Sequence, residues 1–325
     1  MNGGRGHPGM VRTPRLDQDT GFPRGVASVA VLVLTGWVVL AGGLVGPVGA
    51  VSNKAPSWES RYPWTALIPQ AERLGLPTRF LRVIPRDFFT VEFADLHTFA
   101  AEYHPEEHRM VLNRTLSFNA AGGVLRPLGK MTPREVATLY HELFHAYMDY
   151  ASAAADSTAA APDAARLLAF ARAQQQCGYQ SVSITPLPQK KTLTEPRFLS
   201  ERESWEALNE TWAVFVGWAI WTKLELARGG KGLGRHGSDS RAELAKLLKK
   251  ADQGSDIVGY YEPEDENERA VTQKRYLAPS NRISPGEVSM LMEVLFGETP
   301  QEAGRMSSVM APGRLTPGGE VACAP

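Results

Sequence analysis

The order of elements along this 325-residue chain predicts an α+β fold. Three observations carry that expectation. Short β-rich stretches gather early, in TRFLRVIPRDFFTVEFAD and YHPEEHRMVLNRT, and long helical periodicities with clear start and stop signals follow. No repeat with a period of about 20–50 residues marks a solenoid or a propeller. With 43% hydrophobic and 22% charged residues, the chain can bury a sizeable core. Lys+Arg and Asp+Glu balance at 35 each, so no basic field is available to hold a nucleic acid.

The N-terminus reads as an export signal. Arg5, Arg12, Arg15 and Arg24 precede residues 25–50, which carry no charge. A basic segment, an apolar segment and small residues at Val48 and Ala50 predict a signal peptide over residues 1–50, cleaved after Ala50. The rival reading is an uncleaved anchor, because Gly25 to Val45 is long enough to span a bilayer and the basic residues would hold the N-terminus inside. Either way residues 51–325 form the working domain, expected outside the cytoplasm: secreted, periplasmic, or facing outward from the membrane. Contact with a membrane is expected only if the segment stays as an anchor. An oxidising compartment permits a disulfide between Cys177 and Cys323; two unpaired thiols are the alternative.

Each element has a local signature. SWESRYPWTALIPQAERLGLP runs from a linker into a short helix. TRFLRVIPRDFFTVEFAD offers two short strands, and FAAEYHPEEHRMVLNRTLSF reads as strand, turn, strand around Pro105. Thr132, Pro133 and Glu135 form a capping box with proline at the first helical position, opening a helix through MTPREVATLYHELFHAYMDYASA. DAARLLAFARAQQQCGY is a further helix, and residues 179–198 read as a surface loop. SERESWEALNETWAVFVGWAIWTKLELARGG is a long helix closed by Gly229 and Gly230. RAELAKLLKKAD is amphipathic, residues 256–284 read as irregular, and SPGEVSMLMEVLFGETP is a last helix stopped by Gly297 and Pro300.

The stretch HELFHAYMDY, residues 141–150, carries the chemistry. Val136, Leu139, Leu143, Tyr147 and Tyr150 form one stripe of that helix and can do its packing. His141 and His145 lie on the other side, one turn apart, so both imidazoles can face a single zinc ion. Glu142 is rotated about 100° from His141 and can reach an attacking water without taking a ligand place. An HExxH in such a chain is a chance event roughly once in a hundred. A third ligand is still needed. No histidine follows at the spacing HExxHxxGxxH, and Met148 stands where the glycine belongs. Downstream, Glu203, Glu206 and Glu210 share one face of the long helix, with Trp205, Leu208 and Trp212 opposite. Helical position alone leaves all three open as the metal carboxylate. His104 and His108 are also four apart, but Pro105 breaks any helix between them and they read as surface residues.

HELFHAYMDY resembles the zinc helix of thermolysin-like peptidases, and LNETWA resembles the glutamate helix of gluzincins, in which a pair like Asn209-Glu210 is followed by a small residue, here Ala213. The resemblance selects Glu210 over Glu203 and Glu206 and implies a zincin-like fold binding one Zn²⁺ through His141, His145 and Glu210. It implies a peptidase acting on peptides or proteins with Glu142 as general base. It further implies a strand at the sheet edge that holds the substrate backbone, here Val111, Leu112 and Asn113. An oxyanion donor beyond the glutamate helix is also implied, for which His236, Tyr260 and Tyr261 are the candidates. Two departures stand out: Val214 replaces the acid expected four residues after the ligand glutamate, and the C-terminal half matches nothing in thermolysin. A compact, divergent gluzincin is the expectation. A non-catalytic envelope protein retaining the fold for binding or structural zinc is the alternative, which the presence of Glu142 disfavours.

Overall fold

The computed structural model describes residues 63–96, 100–118, 124–155, 161–186, 192–228, 237–254 and 257–310. The expected signal segment, His236 and Cys323 lie outside them. Cys177 is disulfide-bonded.

A short 3-10 turn and helix α1 (Leu67–Arg73) open the chain. Trp64 stacks on Phe89 at 4.9 Å between ring centres, which pins this end to the core. Of the two strands expected in TRFLRVIPRDFFTVEFAD, only the second forms, as β1 (Thr90–Ala94); residues 79–83 make successive turns. β1, β2 (Ala101–His104) and β3 (Arg109–Asn113) build a mixed sheet in the order β1-β3-β2. β1 runs parallel to β3, with Glu92 opposite Val111, and β2 runs antiparallel to it, with Glu102 opposite Val111. β3 is therefore the central strand, and the expectation that Val111, Leu112 and Asn113 form a substrate-holding edge is corrected: both their edges are taken by neighbouring strands. The physical reason was in the sequence. Met110, Val111 and Leu112 are all buried, and an unbroken apolar run belongs to a strand covered on both faces.

Helix α2 (Pro133–Ala153) starts at the expected capping box, with Thr132 and Glu135 each satisfying the other's backbone N–H. It is buried nearly all round. Besides the apolar stripe, Tyr140, Phe144, Ala146 and Met148 are covered, because a second long helix packs against the histidine side. α3 (Pro162–Gln174) follows and unwinds through a π-type turn. α4 (Glu201–Arg228) lies along α2. Gly217 sets how closely they approach: a Cβ there would come 3.3 Å from the Ala137 carbonyl oxygen and 3.7 Å from the His141 Cβ.

The stretches read as a loop at 179–198 and as irregular at 256–284 instead supply a second sheet. Its strands are β4 (Ser181–Thr185), β5 (Glu195–Phe198), β6 (Tyr260–Tyr261) and β7 (Arg275–Leu277), in the order β5-β4-β7-β6, all antiparallel. The sheet content is thus not confined to the N-terminal part, although the α+β class holds. Val182, Ile184, Leu277 and Tyr261 face the core. A short helix α6 (Glu266–Val271) connects β6 to β7, and the amphipathic α5 (Gly237–Gly254) precedes β6. α7 (Pro285–Val294) ends at Gly297, which takes the left-handed φ of 71°. The chain does not stop there, because Thr299 caps a further helix, α8 (Pro300–Ser307).

One buried carboxylate locks these layers. Glu287 of α7 is fully buried and accepts from the Tyr179 hydroxyl at 2.7 Å and the Trp212 indole N–H at 2.9 Å. Its other oxygen accepts from the Ser284 N–H at 2.6 Å, closing the capping box of its own helix. A buried charge with every oxygen satisfied by donors is tolerated, whereas one left unpaired would cost several kcal/mol.

Candidate metal centre

His141 and His145 project from α2 toward Glu210 on α4. Their Nε2 atoms stand 3.1 Å apart. His141 Nε2 lies 3.3 Å from Glu210 Oε2, and His145 Nε2 lies 3.4 Å from Glu210 Oε1. Ligand atoms held tetrahedrally at about 2.0–2.1 Å from a zinc ion sit about 3.3–3.4 Å from one another. The three side chains are spaced as such a shell requires. Two ring nitrogens this close cannot both present lone pairs to each other, so a proton or a cation must lie between them. Glu210 Oε2 is buried with no aligned hydrogen-bond donor, which a cation would also satisfy. Two imidazoles and one carboxylate are a donor set suited to zinc with one place left open. Among the described residues this is the one group of three or more His, Cys, Asp or Glu side chains placed to hold a metal ion.

The electrostatics agree. Burial works against the Glu210 charge, yet the two adjacent imidazoles hold its pKa well below the ordinary value. Burial likewise works against protonating His145, but Glu210 beside it pushes the ring up to about 9. The pocket favours one negative charge facing positive charge. Glu142, next to His141, is buried; that burial raises its pKa, while His141 and His145 pull it back. A covered carboxyl whose pKa is raised is suited to holding and passing on a proton.

Glu203 and Glu206 are occupied elsewhere. Glu203 caps the start of α4, accepting from the Ser200 N–H at 3.1 Å, and its other oxygen accepts from Glu264 N–H at 2.9 Å. Glu206 accepts from the Glu262 N–H at 3.0 Å. Both carboxylates fasten the β6 segment to α4. Asn209 turns toward His145, near enough to raise the ring's basicity, though its buried oxygen has no well-aligned donor.

The two tyrosine candidates separate because strand neighbours face opposite ways. Tyr260 reaches the centre: after burial, contact with Glu210 is the main influence raising its pKa far above the ordinary range. Tyr261 points away into the core, where burial and Glu203 raise it to about 12. Sequence reasoning missed what puts Tyr260 there. Gly259 presses on α4 so tightly that a Cβ would fall 2.6 Å from the Thr211 backbone nitrogen and 2.8 Å from its Cα. Lys274 was missed too. Its Nζ donates to the Tyr260 hydroxyl at 2.8 Å and stands 3.9 Å from the ring centre. Neither residue belongs to a recognisable motif. Gly217 did carry a signal, since glycine inside a helix costs about 1 kcal/mol and marks a close approach.

Asp149, one turn beyond His145, accepts from the Tyr103 hydroxyl at 2.5 Å and pairs with His108 Nδ1 at 2.7 Å. His108 thus ties the turn before β3 to α2, in a left-handed conformation with φ 45°. Val214 stands half-buried on α4, so the acid expected at that position has no counterpart there.

Comparisons with protein-family models, with curated proteins and with solved structures found no match. The centre is defined by its geometry alone.

Proposed function

We propose that this protein is an exported zinc-dependent peptidase of gluzincin type, with His141, His145 and Glu210 as the metal ligands. The observation that carries the reading is the meeting of an HExxH pair with a carboxylate from a separate helix, at ligand spacing and beside a buried glutamate. When bound, the cation supplies Lewis acidity toward a water and a peptide carbonyl. Glu142 takes the proton from the attacking water and later delivers it to the departing amine. Tyr260 donates its hydroxyl proton as a hydrogen bond to the tetrahedral oxyanion, with Lys274 holding the phenol in place. A buried base favours catalysis over purely structural zinc, which needs none. Export rests on the charge and hydropathy pattern of residues 1–50. Among the described residues, no helix is long and apolar enough to cross a membrane.

Metal analysis of the purified chain, paired with a broad peptide-cleavage screen, tests this. Glu142→Gln keeps the metal and the melting temperature while losing on the order of several hundredfold in activity. Glu210→Gln purifies largely without zinc, and Glu203→Gln and Glu206→Gln retain most of it. Full activity in Glu142→Gln would rule out the mechanism.

A further inference from the structure

The four-stranded sheet has one face toward the core and one toward solvent, and its register shows which residues share the open face. Residues directly opposite each other on paired strands point the same way. Tyr260 is opposite Tyr276, and Tyr276 is opposite Thr185. Two and four residues back along β4, Ser183 is opposite Pro196 and Ser181 is opposite Phe198. The face that delivers Tyr260 to Glu210 therefore continues outward through Tyr276 and the half-buried Ser183 and Ser181 to Phe198, passing over Thr185, which is itself buried. The Tyr260 and Tyr276 rings are 5.8 Å apart. Phe198 is 86% exposed and Tyr276 is 41% exposed, unusual for large aromatic side chains.

From this register we infer that the open face is the substrate ledge of the metal centre, and that it takes an extended, unfolded polypeptide segment with uncharged and apolar side chains. The inference rests on the peptidase reading and names the class of substrate. Three features support that occupant. The face is continuous with the centre through Tyr260, so whatever lies on it is presented for reaction. Beyond Lys274 and Glu262, which share the end nearest the centre, the paired positions on this face carry no charge: they are tyrosine, threonine, serine, proline and phenylalanine. Such a surface attracts apolar side chains and offers hydroxyls to a backbone, but has nothing for acidic or basic ones. The length also fits. Three strand spacings of about 4.8 Å and four residues of about 3.4 Å put Phe198 about 20 Å from Tyr260, the span of about six extended residues.

The test is binding rather than turnover. Full-length protein carrying Glu142→Gln, loaded with zinc, is titrated against reduced and carbamidomethylated α-lactalbumin by fluorescence polarisation. Adding Phe198→Ser and Tyr276→Ser together weakens binding about tenfold, whereas Val271→Ser, a comparably exposed apolar side chain outside the sheet, leaves it unchanged. Hydroxyl-radical footprinting of the Glu142→Gln protein protects Phe198 and Tyr276 when the polypeptide is bound, which holds even if the double variant folds poorly. Equal affinity across the variants with no protection overturns the ledge, as does binding of chitohexaose at these residues in place of polypeptide. If the intact enzyme cleaves nothing but the double variant still loses polypeptide binding, the peptidase reading fails and the ledge stands. Efficient cleavage with unchanged binding is the reverse case.

Discussion

The three-stranded sheet is assembled from strands within residues 90–113, whereas the four-stranded sheet draws its strands from residues 181–277. The first is a packing device. Its central strand is paired on both sides, and the sheet is fastened to α2 by Tyr103 and His108 converging on Asp149. The second is half open. One face is in the core, and the other carries Tyr260 to the candidate metal centre. The gluzincin resemblance points to β3 as the strand for substrate contact, yet β3 is the strand least available. A continuous hydrophobic run signals covering on both faces; a binding surface needs a strand with one face left free.

This contrast can be broken by experiment. The largest effect is expected in the second sheet. Removing the Tyr260 hydroxyl in Tyr260→Phe lowers kcat by about 100-fold or more, the cost of losing one oxyanion donor, with zinc content and KM little changed. Gly259→Ala lowers kcat comparably while leaving the phenol intact, because the added methyl pushes β6 off Thr211. Steady-state kinetics with metal analysis on both variants decides this, and wild-type kcat in Tyr260→Phe would remove the sheet from the mechanism.

In the first sheet the effect is on stability instead. Leu112 is buried, and Leu112→Ala destabilises by about 2–5 kcal/mol in denaturant titrations while the folded fraction keeps its KM. A raised KM without lost stability would restore β3 as a substrate strand.

The smallest effect concerns the seam between α4 and the second sheet. Burial, helped by Glu210 and Glu262 and opposed by the Glu262 N–H, pushes the Glu206 carboxyl up to about 7 from 4.5. The folded state binds this proton more tightly than the unfolded chain. Its contribution to stability is therefore complete below pH 4.5 and is lost as pH rises through 7. The metal-free protein melts lower at pH 8 than at pH 5, by about 2–5 °C from this group. Glu206→Gln, which keeps the oxygen facing the Glu262 N–H, flattens that slope. An unchanged slope in calorimetry would mean that Glu206 ionises normally.

The sequence by itself determined the longer helices and the His141–Glu142–His145 motif. Thr132 with Glu135, Gly297 after its helix, and the i, i+4 histidines are local signals, because helical hydrogen bonds and side-chain neighbours lie within about four residues. They placed His141, Glu142 and His145, and the short motif around Glu210 picked the carboxylate that converges on them. Tertiary structure alone decided the rest. Whether a stretch such as SVSIT or GYYE becomes a strand depends on partners dozens of residues away, and a two- or three-residue strand has almost no pattern of its own. Which of two adjacent tyrosines meets the candidate metal centre depended on a face, and the face was fixed by Gly259 pressing against Thr211, a contact between distant segments that no local periodicity records.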